Sequence, residues 1–200
     1  MMILRGAGPS PFVRKVRIAA SLLGLADKIE VTPADTTNPS DALRQQNPVG
    51  KIPVLITEDK TTIYDSPVIV EYLDHLAGGG RVIPRDPMAR IAALKLQALC
   101  DGILDASLLL VYEGRYRSAE QRVQNWVDMQ ADKVARCLTV LDNDPPPLDP
   151  VHVGQITLAC ALGYQDLRFE GAWRKKYPRL VAWLDDFAKR VPAFAETKVT

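Results

Sequence analysis

The sequence predicts a small α/β domain followed by an all-helical bundle. Three observations carry that prediction. Strand and helix signals alternate from Met2 to Leu76, apolar spacing beyond Pro87 is helical throughout, and Gly78-Gly79-Gly80 with Pro84 and Pro87 separates the two regimes. The expected domains are residues 1–78 and 86–200, joined by a linker.

Met2 to Leu4 is a short apolar run before the turn Gly6-Ala7-Gly8-Pro9. Ser10-Pro11 then opens a helix, serine being a favoured cap and proline a favoured first residue. Phe12, Val16, Ala19, Ala20 and Leu23 keep helical spacing up to Gly24. Ile29 to Thr32 reads as a strand and Ser40 to Gln46 as a short helix. Pro53 to Thr57 and Thr62 to Tyr64 flank Glu58-Asp59-Lys60 as a hairpin. Ser66-Pro67 opens a further helix carrying Val68, Ile69, Tyr72, Leu73 and Leu76. The predicted order is β-α-β-α-β-β-α.

Beyond the linker, Ala92, Leu96, Leu99, Ile103, Ala106 and Leu110 form one seam. Val123, Val127, Gln130, Val134, Cys137 and Leu141 form a second, interrupted by the glutamine. Ile156 to Leu162 is apolar nearly all round, the mark of a buried central helix. Leu180, Leu184, Phe187 and Val191 make the last stripe, stopped by Pro192.

Composition narrows the function classes. A net charge of +1 over 200 residues gives no electrostatic reason to expect nucleic acid or an anionic membrane as partner. Arg5, Gly6 and Gly8 follow the opening apolar residues too soon for a signal-peptide core, so a cytoplasmic protein is expected. Cys100, Cys137 and Cys160 are far apart and lie in helical stretches, which points to small buried residues. With two histidines, His75 and His152, a metal site of His and Cys is not expected. Arg14, Lys15 and Arg17 read as a solvated helix face. Tyr164, Trp173 and Trp183 read as packing residues.

Three segments carry the functional signal: Ser10-Pro11-Phe12-Val13-Arg14-Lys15-Val16, Asn47-Pro48-Val49-Gly50-Lys51-Ile52-Pro53-Val54-Leu55, and Tyr64-Asp65-Ser66-Pro67. In this order, joined to a helical second half, they resemble the cytosolic glutathione transferases. The first segment resembles the serine-type members, bacterial proteins and the plant tau type among them. The resemblance spans the chain and is strongest up to Pro87. It implies a thioredoxin-like first domain that binds glutathione, an all-helical second domain that binds an electrophile, and a homodimer.

Each site residue follows from that resemblance and has a chemical reason. Glutathione presents two carboxylates, an ammonium and a thiol. Asp65 is the partner for the ammonium, and Ser66, at a helix start, for the neighbouring carboxylate. Lys51 reaches the glycyl carboxylate. Ile52-Pro53 matches the family's cis-proline step, which offers its backbone edge to the cysteinyl residue like an added strand. Ser10 is the catalytic candidate: its hydroxyl donates to the glutathione sulfur while the helix end favours negative charge, so thiolate gains over thiol. Phe12 joins the glutathione-binding set and can also face the electrophile. Tyr112, Arg115 and Tyr116 are the candidate electrophile-pocket residues.

Each Ser-Pro step is also explained by capping alone; the ordered set of segments favours the enzyme. The expected function is transfer of glutathione to a small hydrophobic electrophile. Peroxide reduction or dehalogenation at the same site, and a non-enzymatic glutathione-binding interaction or stress protein, are the alternatives. One departure stands out. The family's buried helix carries Ser or Thr three residues before Asp, whereas Thr157 is followed by Cys160, so the reciprocal cap is expected to be missing.

Overall fold

The structure, a computed structural model, describes residues 1–199. The chain forms two compact units, residues 1–91 together with the segment from Val191 onward, and residues 92–190. The segment from Val191 onward, expected within the helical domain 86–200, thus groups with the first unit.

The first unit has a four-stranded sheet in the order β2-β1-β3-β4. Strand β1 (Met2–Gly6) runs parallel to β2 (Ile29–Pro33) and antiparallel to β3 (Val54–Ile56), which pairs antiparallel with β4 (Thr62–Ile63). Helices α1 (Pro11–Leu22), α2 (Leu43–Gln46) and α3 (Ser66–Leu76) complete the predicted order. Leu4, Val16, Ile18, Val54, Leu55, Ile69 and Leu73 are buried in this unit, each contributing about 2 kcal/mol through removal of apolar surface from water. Val68 and Leu76, counted in the predicted apolar face of α3, are half exposed instead.

The basic cluster on α1 is not a solvated face. Lys15 is 0% exposed. Arg14 donates to the Phe194 carbonyl and to Thr197 Oγ1, the latter at 3.2 Å, with its guanidinium 4.1 Å from the Phe194 ring centre. These bonds hold the short helix α8 (Ala193–Glu196) against α1. The long aliphatic stems of both residues make such burial compatible with charge.

Nor is the stretch after α3 a free linker. Gly78, Gly79 and Gly80 all have positive φ, the conformation glycine adopts without steric cost. The chain there folds around Asp74, whose carboxylate accepts from the N–H groups of Gly80 (2.7 Å), Arg81 (3.0 Å) and Val82 (2.8 Å). Val82 and Ile83 are buried, and Arg81 donates to the Leu22 and Leu23 carbonyls at the end of α1.

The second unit contains most of α4 (Pro87–Tyr116), then α5 (Gln124–Asn143), α6 (Val153–Phe169) and α7 (Pro178–Arg190). Helix α6 is the buried centre: every residue from Val153 to Leu162 is buried. The predicted seam of α4 is shifted. Ile103 and Ala106 are buried as expected, but Ala92 is exposed, and the buried face also takes in Ala93, Gln97, Cys100, Leu104 and Ser107. It carries polar atoms because they find partners: Ser107 Oγ donates to the Ile103 carbonyl and accepts from Gln165 Nε2, both at 2.6 Å. On α5, Gln130 is fully buried and accepts from Lys133, while Val123 is exposed. Trp183 and Phe187 stack at 5.4 Å, and Trp173 donates to Asp166.

The cap of α6, expected to be missing at Thr157, is present earlier in the chain, at His152. His152 Nδ1 accepts from the Gly154 N–H at 3.2 Å, and Gln155 Oε1 accepts from the His152 N–H at 2.9 Å. Thr157 lies inside the helix and donates to the Val153 carbonyl. Burial holds the His152 pKa below its ordinary value of 6.5. The unfolded chain therefore binds more protons than the folded one between the two values, and stability rises with pH through that window. The cap is complete above pH 6.5 and is lost as pH falls through the lowered folded value, at a cost of about 1 kcal/mol. Denaturant titrations across this range should show the loss, and His152→Asn, a cap that does not titrate there, should flatten it. An unchanged slope in that variant would contradict the assignment.

Candidate active site

Strand register brings the three predicted segments to one end of the sheet. Arg5 pairs with Val54, so the end of β1 lies beside the start of β3. Leu55 pairs with Ile63, so the end of β4 lies beside that same start. The first turn of α1, the Ile52-Pro53 step and the first turn of α3 follow or precede these strand ends directly. Gly6 permits the approach at β1: a Cβ there would stand 2.7 Å from Val13 Cγ2.

Ser10 is the N-cap of α1, as predicted, with Pro11 at the first helical position. Its Oγ accepts from the Val13 N–H at 3.3 Å, which leaves the hydroxyl proton to donate elsewhere. Helix α1 has no acidic residue at its cap or in its first turn, so no carboxylate there offsets its positive end. Phe12 is half-buried in the same turn, with Lys15 Nζ 5.7 Å from its ring centre.

The Ile52–Pro53 bond is cis. The ladder of β3 begins at Val54, so Ile52 lies beyond its paired stretch. Buried Asn47 organises the preceding loop, donating to the Lys51 carbonyl at 2.9 Å and accepting from the Val49 N–H at 3.0 Å. The Lys51 side chain is exposed. On α3 the cap is Asp65 and not Ser66: Ser66 and Pro67 occupy the first two helical positions, one residue later than their counterparts at α1. Asp65 follows a cis Tyr64–Asp65 bond, is exposed, and makes no side-chain capping bond, whereas Ser66 is 1% exposed. The carboxylate of Asp65 is thus not engaged in capping its own helix.

In the helical unit, Tyr112 and Tyr116 meet edge to face at 5.3 Å at the end of α4. They line an open cavity of about 610 Å³ with Leu109, Glu113, Val123 and Trp126. Arg115 lies outside that lining; its guanidinium is 5.8 Å from the Tyr112 ring centre. Trp126 carried no readable signal, because an isolated exposed tryptophan at a helix start has no periodicity to mark it. Among the described residues, no cluster of His, Cys, Asp or Glu could hold a metal ion, and no helix is long and apolar enough to cross a membrane.

Comparison with known proteins matches residues 9–76 to the N-terminal domain of glutathione S-transferases and residues 124–186 to their C-terminal domain. The uncharacterized GST-like protein YibF of Escherichia coli (strain K12) is 35% identical over 203 residues, covering 98% of both chains. The chain belongs to the glutathione S-transferase superfamily. Among solved structures, a glutathione transferase family member from Pseudomonas fluorescens Pf-5, with bound glutathione, superposes with a TM-score of 0.93 at 37% identity over all of both chains. A glutathione S-transferase from Methylobacillus flagellatus KT, also with glutathione bound, gives 0.90 at 34% identity over all of both chains. The small mixed sheet and the helical unit are the transferase fold that the three segments implied.

Proposed function

We propose that this transferase binds glutathione at the shared end of the first unit's sheet and transfers it to a small hydrophobic electrophile. The capping geometry of Ser10 carries the reading: an oxygen that accepts from the backbone keeps its proton for a sulfur, at a helix end without a neutralising acid. The bound glutathione in the Pseudomonas and Methylobacillus relatives supports the same ligand here. In this reading Asp65 holds the ammonium, Ser66 and the α3 end the adjacent carboxylate, and Lys51 the glycyl carboxylate. Ile52 pairs with the cysteinyl backbone, Phe12 packs against the peptide, and Tyr112 and Tyr116 help bind the electrophile. Ser10 forms no covalent intermediate. It stabilises the thiolate, which attacks the electrophile directly.

Calorimetry with glutathione tests the binding half. Asp65→Ala should raise Kd by about ten- to a hundred-fold, the loss of a charge-assisted hydrogen bond. An unchanged Kd in the folded variant would remove Asp65 from the site.

The reading includes a cytoplasmic homodimer. Val68, Met88 and Ile91 are 50%, 71% and 57% exposed, apolar surface of the kind that subunit contacts cover. Sedimentation at micromolar concentration should give about twice the 22.1 kDa chain mass; a single species at the chain mass would contradict the dimer.

A further inference from the structure

We propose that Arg115 and Arg168 bind an anionic group on the electrophile, so that the preferred substrates carry a carboxylate. This names the substrate class of the transfer reaction above and rests on that reading.

Two tyrosine–arginine pairs make up the site. Tyr112 and Arg115 share the last turn of α4; Tyr164 and Arg168 are one turn apart on α6. Each guanidinium carbon lies 5.8 Å from its tyrosine ring centre. The bond from Gln165 to Ser107 ties the two helices together beside them. Burial raises the Tyr164 pKa, with Arg168 and Arg115 pulling it back and Tyr112 adding to the rise. Tyr164 therefore lies within reach of the other three groups, and its phenol stays protonated at neutral pH.

This cluster has positive charge without a compensating carboxylate. Of the acids two residues away, Glu113 pairs with Arg117 and Asp166 with Arg174, while Glu170 sits past the end of α6 at its left-handed C-cap. Among the described residues, neither Arg115 nor Arg168 forms an ion pair. Arg168 Nε is buried and has no hydrogen-bond partner. A buried guanidinium N–H normally finds an acceptor; the side-chain hydrogen bond between Arg168 and Tyr164 leaves Nε itself without one. A carboxylate matches what is missing, because guanidinium groups recognise it through charge and paired N–H donors. Tyr112 and Tyr164 add ring surface for the apolar body of the same molecule.

The test compares 4-chloro-3-nitrobenzoate with 4-chloro-3-nitrobenzamide as glutathione acceptors. In both, the sulfur forms a bond to the ring carbon bearing chlorine, chloride leaves with the carbon–chlorine pair, and the thiol proton passes to solvent. The carboxylate or amide is untouched. Divided by the uncatalysed rate constant, kcat/KM should favour the benzoate by about ten-fold or more. Arg115→Gln with Arg168→Gln should bring that ratio to near parity, and Arg168→Lys should leave an intermediate ratio. The same preference should appear in calorimetry with the two S-aryl glutathione adducts, which needs no turnover. Equal treatment of the two compounds by the unmutated protein, or a preference surviving the double change, would overturn the proposal. Failure of the underlying transferase reading looks different: glutathione itself does not bind. In that case 3-nitrobenzoate against 3-nitrobenzamide, titrated without glutathione, still decides the anion site. Tighter benzoate binding that needs both arginines supports it, and equal binding overturns it.

Discussion

Ser10→Ala is expected to lower turnover of an accepted electrophile by roughly ten- to a thousand-fold, the range for loss of a preorganised donor. The same change removes the bond from the Val13 N–H and should cost about 1 kcal/mol of stability. The two effects separate the roles of the residue. A serine that only caps would show the stability loss with catalysis intact; one that also donates to sulfur shows both. Glutathione affinity should change far less than turnover, because the proposed contacts to the peptide's charged ends lie at Asp65, Ser66 and Lys51. Ser10→Cys gives an independent check. A thiol at this helix end should form a mixed disulfide with glutathione and gain exchange activity.

The second large effect is on stability. Asp74→Ala should destabilise the first unit by about 3 kcal/mol, read from the denaturant midpoint. An acid in the last turn of a helix faces the unfavourable end of the dipole, so it needs a compensating reason to be there. The three backbone N–H groups of Gly80, Arg81 and Val82 supply it. Truncation leaves those donors in a part-buried turn without their acceptor, and the cost of unmet buried donors exceeds the worth of a single bond. Asp74→Asn, which keeps one oxygen in place, should recover part of the loss. Equal stability of the alanine variant and the parent would mean that the turn is held by Val82 and Ile83 alone.

Local signals made the fold legible where they were strong. Ser10-Pro11 marked the start of α1 correctly because cap and first-turn preferences coincide there. Ser66-Pro67 marked α3 one residue late, because a proline is tolerated at the second helical position as well as the first. The buried run of α6 was readable from composition alone, but its cap was not. A histidine with a glutamine three residues on is an uncommon version of the reciprocal pair, and Thr157 lies inside the helix and not at its start. The burial of Lys15 and the docking of α8 through Arg14 were hidden for a different reason. The Arg14 bonds go to groups distant in sequence, to which helical periodicity is blind. Arg168 was silent too, since a lone arginine on a helix reads as solvated until its surroundings are known.

The measurement closest to the central claim is the pKa of the glutathione thiol in the complex, followed by the ultraviolet absorbance of the thiolate as pH is raised. The account predicts a bound thiol well below its free value in the unmutated protein, rising back toward that value in Ser10→Ala while glutathione stays bound. A bound thiol with its free pKa, or one whose lowered pKa survives the loss of Ser10, would contradict it.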